Sequence, residues 1–497
     1  MKTKAKKLVP LILTALLVLS ILPMNVFAAQ IDAGSKASIT INNAVEHDVL
    51  AAYKVVDITY VAETNTLTYK WNRDFADYFD GKTPYNKTPY TVEQFDALTD
   101  DSDDLKTLLA GLPNYIANKT TIAPVSTQTV AAGGTATFAD LAMGEYFIRP
   151  TSTTSVYQLM LQKVEPTVVA GKYVIDDVTF SAKHEEVSVT KIADKTSVTK
   201  TEKVNYTITV DIPTYSVNST DKSFSVSDLL PDGLTIDTDS IKVQIDETDV
   251  DASNYTLDKT ATAEYTFKLS VDKSQYTTNW SGKGGKQLVI TYTATLNNND
   301  TTAVNVKETN KVTFDYSNYP YVGNSHAQKT ATVDVTTFAI KIDKYVKNDE
   351  GVKLANAKFD LYRTATQAEI NAGGTVEIPH TTVKGIKLEA DQVTDADGVA
   401  TFAKYEANGT KYDYYLVETQ APSGYNILDD AVKVNFTDDD VAMTNGVYTV
   451  EVPNSSGIKL PITGGTGTVI FTIIGIALMV GAVVLFVVSR KKAKESK

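Results

Sequence analysis

Val204-Asn205-Tyr206-Thr207-Ile208-Thr209-Val210-Asp211-Ile212 decides the fold. Each even-numbered residue is apolar or aromatic and each odd one is Asn, Thr or Asp, the period of two that a strand with one buried face requires. The same alternation returns in Leu288, Ile290, Tyr292, Ala294 and Leu296, and again in Tyr448, Val450 and Val452. Thr, Val, Tyr and Ile suit such a pleated, half-buried surface. Pro231-Asp232-Gly233, Asp397-Gly398 and Asn445-Gly446 punctuate the runs as turns.

Many short strands separated by turns predict an all-β chain of tandem immunoglobulin-like β-sandwich domains. One stretch departs from this. Asp74 to Phe79, Val92 to Leu98 and Asp104 to Ile116 have helical spacing, as in Leu105, Leu108, Leu109 and Leu112. These are short helices inserted into the first sandwich. Parity places the boundaries. Val178, Phe180 and Ala182 are even-numbered, whereas Val187 and Val189 are odd, so the buried face flips near 183–186. A new strand (Phe338, Ile340, Ile342) opens after Thr336. Three domains follow: 29–185, 186–336 and 337–458.

The two ends are of another kind. Lys2, Lys4, Lys6 and Lys7 precede an apolar run from Leu8 to Leu22 and then Val26-Phe27-Ala28-Ala29, the pattern of a signal peptide cleaved after Ala28. Val469 to Val488 is long and apolar enough to form a transmembrane helix, and Arg490, Lys491, Lys492, Lys494 and Lys497 follow it. By the positive-inside rule the tail stays cytoplasmic and the three domains lie outside. Segment 459–497 is therefore an anchor, at least in the precursor.

The chain has 497 residues, is 43% hydrophobic and 22% charged, and so can fold throughout. It has no cysteine, which excludes disulfides, thiolate metal sites and a Cys nucleophile. A formal net charge of -13, more negative still once both basic ends are removed, argues against nucleic acid as a partner. An enzyme is not expected. His47, His184, His326 and His380 are scattered, and no nucleophile elbow, zinc motif or phosphate loop occurs. The acidic stretches Asp100–Asp104 and Asp438–Asp440 lack a calcium-loop pattern. No cofactor or metal is expected.

Parity also directs polar groups inward. Lys191 shares the inward phase of Val187 and Val189, Asp228 that of Phe224 and Val226, and Asn310 that of Val312, Phe314 and Tyr316. In the next domain Lys344 follows Ile340 and Ile342, Glu418 follows Tyr414 and Leu416, and Asn454 follows Val450 and Val452. Domains two and three thus each point a lysine, a carboxyl and an asparagine into one core, where unpaired they would be costly. Burial lowers a lysine pKa and raises a carboxyl pKa, giving a neutral amine nucleophile and an acid able to donate a proton.

Two sets of residues carry a resemblance. Leu460-Pro461-Ile462-Thr463-Gly464, then the apolar span and basic tail, resembles the LPxTG sorting signal of Gram-positive surface proteins. Tyr415-Leu416-Val417-Glu418-Thr419-Gln420-Ala421-Pro422-Ser423-Gly424-Tyr425 resembles the E-box of collagen-adhesin B-type domains, and domain two resembles the A type, which uses an Asp. Val174 to Lys183 is similar to a pilin motif, with Ala182 for the usual Pro and His184 for the usual Asn. Lys183 has the outward phase of Thr179 and Ser181. Together these resemble a sortase-assembled backbone (major) pilin.

The resemblance implies that a sortase cleaves between Thr463 and Gly464 and passes Thr463 to Lys183 of an identical subunit. It implies autocatalytic Lys191–Asn310 and Lys344–Asn454 isopeptides, with Asp228 and Glu418 as the acids. The implied partners are a pilin sortase, identical subunits, minor pilins and, through a housekeeping sortase, peptidoglycan; a host receptor is not named by the sequence. The alternative is a wall-anchored adhesin or minor pilin with the same signals but no working acceptor lysine. Domain one has no triad that can be assigned.

Overall fold

The stretch Lys203–Asp211 is a strand in the computed structural model, which describes residues 35–81, 89–99, 102–169, 172–297, 305–409, 411–442, 445–457 and 466–494. Its partner Gln287–Leu296 runs antiparallel with Val204 opposite Ala294, Tyr206 opposite Tyr292, Ile208 opposite Ile290 and Val210 opposite Leu288. All eight side chains are buried, so the alternation read in each strand meets its match across the ladder. Val189–Ala193 and Leu234–Ile245 extend this sheet on either side. A second five-stranded sheet contains Phe267–Val271, Phe224–Leu229, Lys307–Ser317 and His326–Thr336. The inward residues of both sheets form one core around Trp280 and Phe314.

N-terminal to this sandwich, Thr66–Trp71, Val49–Val61, Gly144–Ser152 and Met160–Val164 form one sheet. Lys36–Asn42 lies between Ala136–Ala142 and the parallel strand Val178–Ser181 in another. Helices Ala76–Phe79, Val92–Asp96 and Asp103–Asn118 cover the first sheet. Ser102 caps the longest by accepting from Leu105 N at 3.2 Å. Its Leu105, Leu108, Leu109 and Leu112 are buried in a cluster where Trp71 stacks on Phe79 at 3.8 Å.

C-terminal to it, Phe338–Val346 pairs antiparallel with Val399–Tyr405 and parallel with Val447–Asn454. The facing sheet contains Lys384–Val393, Lys358–Thr364, Tyr414–Gln420 and Val432–Val434. The chain is thus an all-β series of sandwiches with short helices inserted in the first. A final helix, Thr466–Lys494, includes the apolar span Phe471–Arg490, with mean hydropathy 2.9. The proposed signal peptide and Leu460 to Gly464 lie outside the described residues.

Candidate functional site

Lys344 is held from both sides before its side chain enters the core. Its N–H donates to Gly398 O at 2.8 Å and its carbonyl accepts from Leu354 N at 3.0 Å. Gly398 has φ +73°, and a Cβ there would lie 2.2 Å from the Lys344 carbonyl oxygen. Only glycine permits this turn to pack so closely on the strand. The Lys344 side chain then runs inward past Phe359, whose ring centre is 5.6 Å from Nζ.

In the core Nζ contacts Asn454 Oδ1 and lies 3.3 Å from Glu418 Oε1. Asn454 Nδ2 donates to that same Oε1 at 2.8 Å, while Glu418 Oε2 accepts from Leu428 N at 2.8 Å. The Lys344 and Glu418 side chains are both fully excluded from solvent. Burial pulls the Lys344 amine down to about 8, with the Glu418 carboxyl opposing the shift. Lys344 and Asn454 sit on adjacent parallel strands, Lys344 opposite Val452, and Glu418 reaches across from the facing sheet.

This arrangement can form an amide. The lone pair of neutral Nζ adds to Cγ of Asn454, and the Cγ–Nδ2 bond breaks with loss of ammonia. Glu418 touches both nitrogens, so its carboxyl can take a proton from the attacking amine and return one to the leaving Nδ2.

The second cluster differs in detail. Lys191 Nζ pairs with Asp228 Oδ2 and lies 2.8 Å from Tyr292 OH. Tyr292 OH donates to Asp228 Oδ1 at 3.0 Å and accepts from Asn310 Nδ2 at 2.7 Å. Lys191 and Asp228 have no solvent-exposed side-chain surface, and Asn310 is buried. Burial pushes the lysine down and the aspartic acid up, each partly offset by the other's charge. The rings of Tyr206 and Tyr292 lie 5.3 and 5.1 Å from Nζ.

Lys191 and Asp228 are therefore brought together as read from the sequence, but Asn310 is joined to them through Tyr292. Its Oδ1 is buried without a hydrogen-bond partner. Tyr292 is the residue that sequence reasoning missed as part of the site. Its inward phase was plain, and an inward tyrosine hydroxyl needs a polar partner.

Lys183 is exposed at the exit of domain one, with buried Ala182 before it. Its carbonyl accepts from Gln158 N at 2.9 Å. Thr463, the implied donor, lies outside the described residues.

Residues 338–449 match the SpaA family, a prealbumin-like fold domain, and residues 452–495 match the LPXTG cell wall anchor motif. The chain superposes on the T6 backbone pilin of serotype M6 Streptococcus pyogenes with a TM-score of 0.56 at 18% identity, over 82% of this chain and 80% of that one. The fold is that of the backbone pilins. The major pilin SpaA of Corynebacterium diphtheriae aligns with a TM-score of 0.53 at 18% identity, over 85% of this chain and 100% of that one. In sequence, the chain is 24% identical over 466 residues to the fimbrial subunit type 1 of Actinomyces viscosus, covering 82% of this chain and 85% of the relative.

Proposed function

We propose that this chain is the major structural subunit of a covalent pilus on a Gram-positive cell surface. The observation that carries the reading is the combination of an LPXTG anchor at one end with an exposed lysine at the exit of domain one. A sortase cuts after Thr463, holds its carbonyl as a thioester and releases Gly464 as an amine. Lys183 Nζ of the next subunit then attacks, forming a Thr463–Lys183 amide and freeing the enzyme. Peptidoglycan attachment by a housekeeping sortase ends the polymer, and minor pilins join through the same chemistry. The precursor is held in the membrane by the Phe471–Arg490 span, and the product is wall-attached.

Internal Lys191–Asn310 and Lys344–Asn454 amides brace the second and third domains, with Asp228 and Glu418 handling protons. The contact of Lys344 Nζ with Asn454 and the shared Glu418 oxygen support this for domain three. The polymer is tested by co-expressing the full chain with a pilin sortase. Denaturant-resistant ladders and a Thr463–Lys183 peptide by mass spectrometry are expected, and Lys183→Ala should abolish both. Ladders that persist in that variant refute the acceptor. Lys163 is a poor substitute, since it is mostly buried and paired with Asp96. A wall-linked chain without ladders in the wild type would instead fit a non-polymerising adhesin.

A further inference from the structure

The hairpin joining Lys307–Ser317 to His326–Thr336 does not stay with its own sandwich. Its tip carries Tyr319 and Tyr321, which are 3% and 1% exposed and belong to the core of domain one beside Ile39, Tyr157 and Ala182. Asn318 Nδ2 donates to Thr153 O at 2.6 Å, and Tyr316 OH bonds Thr154 O. The tip is fixed from behind as well, because Thr220 N and Asp221 N both donate to Pro320 O at 2.8 Å.

This plug ends one link from the acceptor lysine. Tyr321 OH bonds Gln158 Oε1 at 3.1 Å, and the N–H of that same Gln158 donates to the Lys183 carbonyl. On the N-terminal side, Ala182 packs in the cluster that holds both tyrosines, with its N–H donating to Asn42 O at 2.8 Å. On the C-terminal side, His184 and Glu185 pair with Tyr157 and Val156. The backbone of Lys183 is thus bracketed on both sides by groups that the plug touches, while its side chain is left in solvent. Without the plug, domain one would be held to domain two chiefly by Val156, buried in the domain-two core, and by Glu185, which accepts from Thr214 N at 2.7 Å, and the aspect of the amine relative to domain two would be less firmly fixed.

We propose that Tyr319 and Tyr321 are positioning residues for the intermolecular reaction: the domain-two hairpin, seated in domain one, holds Lys183 in the attitude in which the sortase acyl-enzyme accepts it. The inference rests on the Lys183 acceptor reading above, and the test separates the two. An acceptor-only full chain (Thr463→Ala) and a donor-only full chain (Lys183→Ala) are co-expressed with the sortase, and the cross-linked dimer is measured. Tyr319→Ala/Tyr321→Ala in the acceptor copy should lower dimer yield by roughly tenfold or more, the scale of loss when a reacting group is misplaced. The same pair in the donor copy should leave the yield unchanged, which shows that the altered chain still folds and is exported. Tyr321→Phe, which keeps the ring and removes the hydroxyl that bonds Gln158, should fall between the wild type and the double variant as acceptor. Equal acceptor yields for wild type and double variant overturn the positioning role while leaving Lys183 as acceptor. A loss of yield in both copies also overturns it, because the tyrosines then act on the fold as a whole. No dimer with the unaltered acceptor and donor would instead sink the Lys183 reading itself.

Discussion

Glu418→Gln separates chemistry from packing at the domain-three cluster. The amide keeps the volume of the acid and can still bond Leu428 N, but it cannot carry a proton between Lys344 and Asn454. Recombinant 29–458 should therefore keep the one ammonia that the wild type loses, once the mass change of the substitution itself is subtracted. The lost bond spans residues 110 apart. Chain-entropy estimates for closing a loop of that size give about 5 kcal/mol. Leaving a buried lysine beside an unreacted amide adds about 1–3 kcal/mol. For a domain of about 120 residues 1 kcal/mol moves the midpoint by about 4 °C, so the crosslink alone corresponds to a fall of about 20 °C. Calorimetry resolves this, since the domain-three transition should move while that of domain two stays. If the variant lacks as many ammonias from its own sequence mass as the wild type does, Glu418 is not the proton-handling group. If the ammonia is regained but the midpoint moves by less than about 5 °C, the loop-closure reasoning is wrong.

Asp228→Ala should restore one ammonia from domain two alone, and a variant still short of that ammonia relative to its own sequence mass would remove Asp228 from the reaction. Tyr292→Phe should free the Asn310 amide from its hydroxyl anchor and change the rate of bond formation in domain two without affecting domain three; equal maturation rates in pulse-labelled chains would make Tyr292 a packing residue only. His326 bridges Asp315 at 2.6 Å and Asp221 at 3.0 Å, and these carboxylates raise its imidazole to about 9. A folded pKa above the ordinary 6.5 means a stabilisation fully present below pH 6.5 and lost as pH rises through about 9, of order 2–3 kcal/mol. His326→Gln should flatten that alkaline loss in thermal melts, and a wild-type curve that is level from pH 7 to about 10 would refute the pairing.

The inward lysines, acids and asparagines were legible because the phase of a strand is a local property. Asp228 and Asn310 could each be oriented from neighbours two residues away, without knowing what they face. Phase cannot say which strands are neighbours. A period of two is the same in parallel and antiparallel ladders, so the parallel union of Phe338–Val346 with Val447–Asn454 was not visible. Nor was the place of Tyr292 between Asp228 and Asn310, which depends on how two sheets approach. The hairpin tip was hidden for a third reason. Asn318-Tyr319-Pro320-Tyr321 has the composition of a turn, and its tyrosines find their apolar surroundings in a different domain.

The place of Lys183 has a mechanical consequence. With Thr463 of one subunit bonded to Lys183 of the next, a pull along the fibre enters each chain at Lys183 and leaves it at Thr463. Within domain three, given the proposed amide, the force would follow the strand from Phe338 to Lys344 and cross to Asn454. Residues 345–453 would lie off that route, and slack of roughly 350–400 Å, at about 3.3–3.6 Å per extended residue, would not be released. The proposed Lys191–Asn310 amide would short-circuit domain two in the same way. With that linkage, everything before Lys183 would hang beside the line of tension. Domain one would then bear no load, would need no internal strut, and could carry its inserted helices and altered loops without weakening the fibre.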